Sequence, residues 1–337
     1  MKISFIAEND FANVLTEYAY CINKHSKDIE AKSICFRPHP FNYTLQHDYD
    51  LHFCSEEHKL EAKQFIKESD VIIFGEEGNP LEPTYRTLRE FSNLLGLDLI
   101  NSEKKLCIWH PGTLYRENSN FYNKHPLRNK IYKHLYTLGN YKLSPKSEID
   151  YPLLQYQYNN FTLNTYLDNF NQKLNREDSK EIFHNPSNPL VKGTYDINRV
   201  IKELKIPQYN LKYNWVTNIT HSQSIQRKQN SLIYIDQFTP QFKGGYGISS
   251  LEAIFNSNIA LSTIDPDASE AFYKMTGSYN IPVVPLGNSI EEMKYNLHKF
   301  FTLSKEDLYQ EAYNKGKWID TYLNPNFITQ FILKLID

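Results

Sequence analysis

The sequence predicts an α/β protein made of two doubly wound, parallel-sheet domains in succession. Three observations carry this. The 337 residues exceed what one ordinary core organises and suit two domains. Short apolar runs, 71–75 (VIIFG) and 231–235 (SLIYI) among them, read as strands buried on both faces, as parallel sheets require. Such runs alternate with helix-period segments twice, before and after a polar, Tyr/Asn-rich middle from about 118 to 181.

In the first half the periodicity gives a strand at 2–7 and a helix at 12–25, with Val14, Leu15, Tyr18, Cys21 and Ile22 on one face. A strand at 30–36, a helix at 55–69 and the strand at 71–75 follow. A helix at 83–95 has Pro83 at its first position, where the missing N–H costs nothing, and a strand at 105–109 comes next. The boundary is placed near Asn171, giving domains 1–170 and 171–337, with 323–337 expected to pack back on the first domain. The second half restarts the pattern: strand 180–183, helix 194–204, strand 209–215, helix 222–228, strand 231–235, helix 249–256, and strands 259–262 and 281–284. Ser289 and Glu292 form a capping-box pattern opening a helix to about 301, and helices 305–322 and 326–335 end the chain. A cleft between two such domains is the expected ligand site.

Composition excludes several classes. With 40% hydrophobic and 23% charged residues the chain is an ordinary globular protein. No run approaches the roughly 18 apolar residues of a membrane span, and the amino terminus meets Glu8 too early for a secretory signal, so a cytoplasmic location is expected. Cys21, Cys35, Cys54 and Cys107 form no CxxC pair and no zinc-type cluster, and they read as plain thiols. The net charge of −2 argues for no nucleic-acid partner. With 25 Tyr and 20 Phe throughout, aromatic clusters are poor evidence of binding sites.

Two segments carry chemistry. In 236–253 (DQFTPQFKGGYGISSLEA) a strand ends, a glycine-rich turn follows and a helix begins near Ser249. Gly244, Gly245 and Gly247 allow close backbone approach to a ligand. The amides of Tyr246, Ile248, Ser249 and Ser250 lie at the helix start, where N–H groups favour an anion such as a diphosphate. Glu252, read as lying in the first helical turn, has a carboxylate able to accept from two ribose hydroxyls. Local physics also allows that the glycines only turn the chain and Glu252 only complements the helix dipole. In 184–194 (HNPSNPLVKGT) another strand passes to a helix. Lys192 stands just before that helix, placed to meet phosphate oxygens or simply to be solvated, with Ser187 five residues earlier.

Together these segments resemble the C-terminal domain of GT-B glycosyltransferases, in particular the group 1, glycogen synthase-like retaining family. The matching stretches are "H-x-P-S-N…K-G-T" at 184–194, "G-x-G-x-x-x-L-E-A" at 245–253, and the strand 259–262. In the first half, 110–116 (HPGTLYR) is similar to the family's "H-G-[ST]-x-x-R" loop. The resemblance implies the GT-B fold: two Rossmann-like doubly wound domains facing a central cleft. It implies a hexosyl-type, retaining transferase with a nucleoside-diphosphate sugar as co-substrate and a glycan or lipid-linked acceptor, in surface polysaccharide or glycolipid synthesis. By it His110, Lys192 and Glu252 are the catalytic set, and Arg116 holds the loop or an anionic substrate. Base identity is expected to rest on contacts around 216–220.

The chain departs from the family pattern where the usual glutamate is Gly244 and the usual arginine is Ser187. Lys192 and the helix-start amides then carry the leaving-group charge. No cofactor and no metal ion is expected, since no DxD-type motif stands in a suitable loop. An inverting reaction would need a base, for which Glu76, Glu77 and Asp10 are candidates at strand ends. From 118 to 147 no acid occurs, while Lys124, Arg128, Lys130, Lys133, Lys142 and Lys146 interleave with aromatics. That stretch suits an anionic membrane surface, making the protein peripheral at the inner face, or an anionic glycan, or a solvated helix face. The alternatives to a transferase are a nucleotide-sugar epimerase and a non-catalytic GT-B partner subunit.

Overall fold

The apolar runs and periodic helices assemble into two parallel sheets in a computed structural model, which describes residues 1–10, 13–37, 46–52, 54–75, 86–110, 129–137, 149–151, 161–240 and 246–336. Unit 1 comprises Met1–Tyr156 and Pro325–Asp337, and unit 2 comprises Gln157–Asn324.

Unit 1 runs β1 (Lys2–Ala7), α1 (Val14–His25), β2 (Glu30–Cys35), β3 (Tyr49–Asp50), α2 (Glu56–Glu68), β4 (Val71–Gly75), α3 (Arg86–Leu95), β5 (Lys105–His110), β6 (Lys133–Thr137) and β7 (Ile149–Tyr151). The strand order is β3-β2-β1-β4-β5-β6-β7, every pairing parallel, which is the doubly wound order with its reversal between β1 and β4. Ile6, Ile34, Ile72, Phe74 and Ile108 share a buried core with Leu88 and Phe91 of α3 and Phe65 and Ile66 of α2. Phe5 instead meets Tyr18 of α1, with ring centroids 6.2 Å apart. Strands apolar on both faces thus have helices to cover each.

Unit 2 runs α4 (Leu163–Asn175), β8 (Glu181–His184), α5 (Thr194–Glu203), β9 (Lys212–Trp215), α6 (His221–Asn230), β10 (Ile233–Gln237), α7 (Ile248–Phe255), β11 (Ile259–Ser262), α8 (Pro266–Thr276), β12 (Val284–Pro285), α9 (Ile290–Phe301) and α10 (Lys305–Tyr322). Its order, β12-β11-β10-β8-β9, reverses between β8 and β10. Helix α11 (Pro325–Ile336) belongs to unit 1, where the Thr329 hydroxyl donates to the Cys21 carbonyl of α1 at 3.0 Å.

Several elements differ from expectation. Asn171 lies inside α4, and the division between units falls before that helix. Within the basic stretch, 133–137 forms strand β6 and not a helix face, because its backbone pairs with β5. The rest of that stretch, apart from 129–132, lies outside the described residues. At α9, Ser289 accepts from the Glu292 N–H at 3.1 Å, but Glu292 reaches back to the Asn288 N–H at 2.6 Å, one residue beyond the expected partner.

Helix α4 packs on α10 across Gly316: a Cβ there would lie 2.7 Å from the Tyr166 ring, far inside contact distance. Gly316→Ala should therefore cost about 1–3 kcal/mol, read as a lower urea midpoint with an unchanged slope.

Candidate functional site

The reversal in strand order of unit 2 lies between β8 and β10, the place where open α/β sheets bind ligands beyond their carboxyl ends. Beyond β8 runs the loop carrying Lys192. Gly193 follows with φ 66°, a left-handed position where a Cβ would lie 2.0 Å from the Phe238 carbonyl oxygen. Only glycine fits, and the Phe238 N–H donates to the Lys192 carbonyl at 3.0 Å. The Lys192 backbone is thereby fastened to the end of β10.

At that end the pairing of β10 with β11 shifts between Ile235 and Gln237, leaving Asp236 as the extra residue of a bulge. The carboxylate of Asp236, 1% exposed, faces Lys192 and the start of α7. Its Oδ1 accepts from Lys192 Nζ at 3.0 Å. Its Oδ2 accepts from the Gly247 N–H and the Ser250 hydroxyl, both at 2.8 Å. Lys192 also donates to Gln237 Oε1 at 2.6 Å. A Cβ on Gly247 would lie 2.8 Å from Asp236 Oδ2 and 3.3 Å from Lys192 Nζ, so glycine is required for the approach. Burial pushes the Asp236 carboxyl up, but the Lys192 charge and the bonds from Lys192, Ser250 and Gly247 outweigh it and hold the carboxyl below its ordinary range.

Glu252 is placed differently from expectation. Helix α7 begins at Ile248, so Glu252 stands in the second turn, away from the orphan amides. Its Oε1 lies 2.8 Å from His221 Nε2, and its Oε2 accepts from Lys228 Nζ. Both partners come from α6. Burial raises the Glu252 carboxyl, yet Lys228 and His221 overcome it and bring it to about 2. Lys228 is fully buried, with its ammonium 4.9 Å from the Tyr234 ring centroid. Buried Lys173 of α4 donates to the Lys228 carbonyl at 2.9 Å and to the Asn256 carbonyl, tying α4 to the ends of α6 and α7.

The structure thus brings Lys192, Gly247 and Ser250 together and sets Glu252 in a separate ionic cluster on the same helix. Ile248 and Ser249 are half-buried at the helix start, Ser187 is exposed on its loop, and Tyr246 is buried, stacked on Phe272 at 5.2 Å. In unit 1, His110 ends β5 opposite Tyr136. Asp10 takes the Leu15 N–H at 2.9 Å and the Thr16 N–H and hydroxyl at 2.7 Å, capping α1. Asp10 is 2% exposed and its carboxyl is pushed up by burial, so this base candidate is spent on a cap. Glu76, Glu77, Arg116, Gly244 and Gly245 lie outside the described residues. Sequence reasoning missed Asp236, Gln237, His221 and Lys228. The one available signal was Asp236 itself, an acid ending an otherwise apolar strand.

Val216 and Ile219 line a cavity of about 440 Å³ together with Gln223, Arg227 and Glu181. Among the described residues no cluster of three His, Cys, Asp or Glu could hold a metal ion, and no helix is long and apolar enough to cross a membrane.

No protein-family model matches the chain, and no curated protein matches it in sequence. Solved structures do. An α-glucosyltransferase in complex with UDP and a 13-mer DNA containing a HMU base aligns over 100% of this chain and 99% of its own, with TM-score 0.64 and 9% identity. HepE from Anabaena in complex with UDP aligns over 99% of both chains, with TM-score 0.57 and 14% identity. The UDP-GlcNAc 2-epimerase of Neisseria meningitidis bound to UDP-GlcNAc aligns over 99% of both, with TM-score 0.52 and 12% identity. The chain has the GT-B fold.

One expectation is corrected by these likenesses. The near-zero net charge had argued against a nucleic-acid partner, yet a protein of this fold is seen in complex with DNA. Whole-chain charge averages over local patches, and the stretch 118–147 carries six Lys or Arg and no acid, so the exclusion does not stand.

The site's core also sets a pH dependence. His184 is buried between the Ile235 carbonyl, 2.8 Å from Nδ1, and the Thr194 hydroxyl, 2.8 Å from Nε2. A carbonyl only accepts, so Nδ1 carries the proton and neutral Nε2 accepts from Thr194. Burial lowers His184 to about 4. The folded state resists protonation that the unfolded chain accepts near 6.5, so this stability is present above pH 6.5 and is lost as pH falls toward 4. Acid unfolding over that range should cost about 3 kcal/mol through this group, and His184→Asn should flatten the slope of stability against pH.

Proposed function

We propose that the chain is a glycosyltransferase taking a nucleoside-diphosphate sugar as donor, with the diphosphate held at Lys192 and the start of α7. The observation that carries this is the meeting of Lys192, Gly247 and Ser250 at the strand-order reversal of a GT-B unit. A lysine and first-turn amides supply positive potential where the leaving group gains negative charge. In this reading Glu252 takes the ribose hydroxyls on the lone pairs left beside His221 and Lys228. The base is placed against the 216–220 loop, which runs directly into His221.

The reaction proposed is hexosyl transfer with retention and without a metal ion, with the directed Lys192 hydrogen bond and the helix-start amides meeting the leaving diphosphate. Insensitivity to EDTA and an anomeric configuration in the product matching the donor are the expected results. The acceptor is tested in parallel: a surface-type glycan or glycolipid acceptor, which the sequence resemblance implies, against DNA containing an HMU base, the kind seen with the α-glucosyltransferase of the same fold. The same nucleotide-sugar assay reads epimerisation as a change of sugar without transfer.

UDP, present in two of the similar structures, is the first probe. It should raise the melting midpoint by an amount that grows with the logarithm of 1 plus its concentration over Kd. Lys192→Ala should weaken UDP binding at least about tenfold. A thermal-shift plate in which no nucleoside diphosphate moves the midpoint would sink the reading.

A further inference from the structure

The buried carboxylate that meets the proposed donor site has no role in the reading above. Asp236 is 1% exposed, yet it stands at the bulge of β10 and spends its oxygens on Lys192, the Gly247 N–H and the Ser250 hydroxyl. A Gly247 side chain would block this approach. The backbone at the start of α7 is therefore specialised to serve this carboxylate. Gln237 adds a neutral acceptor to Lys192 at 2.6 Å, which fixes the direction of the ammonium group without adding charge.

We infer that Asp236 is a positioning residue that aims Lys192 at the donor diphosphate and fixes the start of α7 beside it, while holding the net charge of that site near zero. The inference rests on the reading of this site as the donor site. Its chemical reason lies in product release. A nucleoside diphosphate carries about one more negative charge than its sugar-bearing parent, because the glycosyl ester has become a free phosphate oxygen. An unneutralised lysine would attract the product more than the donor and hold it after transfer. A paired lysine keeps its directed hydrogen bond and gives up the surplus attraction, which favours turnover.

The electrostatic effect is measurable. A unit charge within about 10 Å in a medium of effective dielectric about 20 changes affinity at least roughly tenfold. Asp236→Asn removes the charge and keeps the shape, so it should bind UDP roughly tenfold more tightly. It should lower kcat, and UDP should become a stronger inhibitor relative to donor KM. Gln237→Glu applies the opposite sign at the other acceptor of Lys192, so it should weaken UDP by a similar factor. It also serves if Asp236→Asn does not fold. A merely structural Asp236 would lower the melting midpoint without separating UDP affinity from donor KM. The inference is overturned if wild type binds UDP while whichever of the two variants folds keeps its UDP affinity within about twofold of wild type; the donor-site reading then stands. If wild type binds no nucleoside diphosphate, that reading falls first and this inference with it.

Discussion

The ion pair between Lys192 and Asp236 is the constraint around which unit 2 is arranged. A charge taken out of water must be matched by another charge and by hydrogen bonds, or the cost of desolvation is left uncompensated. Asp236 meets that demand with a lysine from the loop after β8 and with a hydroxyl and a backbone amide from the start of α7. Those partners fix the loop after β8, the end of β10 and the start of α7 relative to one another. The left-handed Gly193 and the close approach at Gly247 are the backbone conditions for the same meeting.

A second ionic cluster lies further along α7. Glu252 joins His221 and Lys228, and Lys173 closes the carbonyl ends of α6 and α7. The two clusters divide the labour on one short helix: the first sets its amino terminus, the second anchors its body to α6. Helix α7 has eight residues and no side-chain cap from its N-cap glycine, so it depends on these tertiary contacts more than on intrinsic propensity.

The fold was largely legible in the sequence. Apolar runs such as 71–75 and 231–235 mark strands that helices cover on both sides, and the observed β4 and β10 fall within a few residues of them. Elements defined by pairing more than by pattern were not legible. Strand β6, KHLYT, carries two basic residues and no apolar run; it is a strand because its backbone finds β5. Helix α4 was hidden in a polar middle because its buried Tyr166, Leu167 and Phe170 lie among asparagines. At the site, Lys192 and the glycines stood out by type and spacing. Their partner Asp236 did not, because Lys192, Gly247 and Ser250 meet it only in the folded chain, and Lys228 looked like any surface lysine on a polar helix.

The return of α11 to unit 1 has a consequence for biosynthesis. Thr329 bonds to Cys21 across 308 residues, so the ribosome must pass all of unit 2 before α1 gains that covering helix. Unit 2 is continuous in the chain and can close on itself before α11 is made. The domain begun first is thus completed last, and an interrupted translation product would leave the α1 surface bare to chaperones.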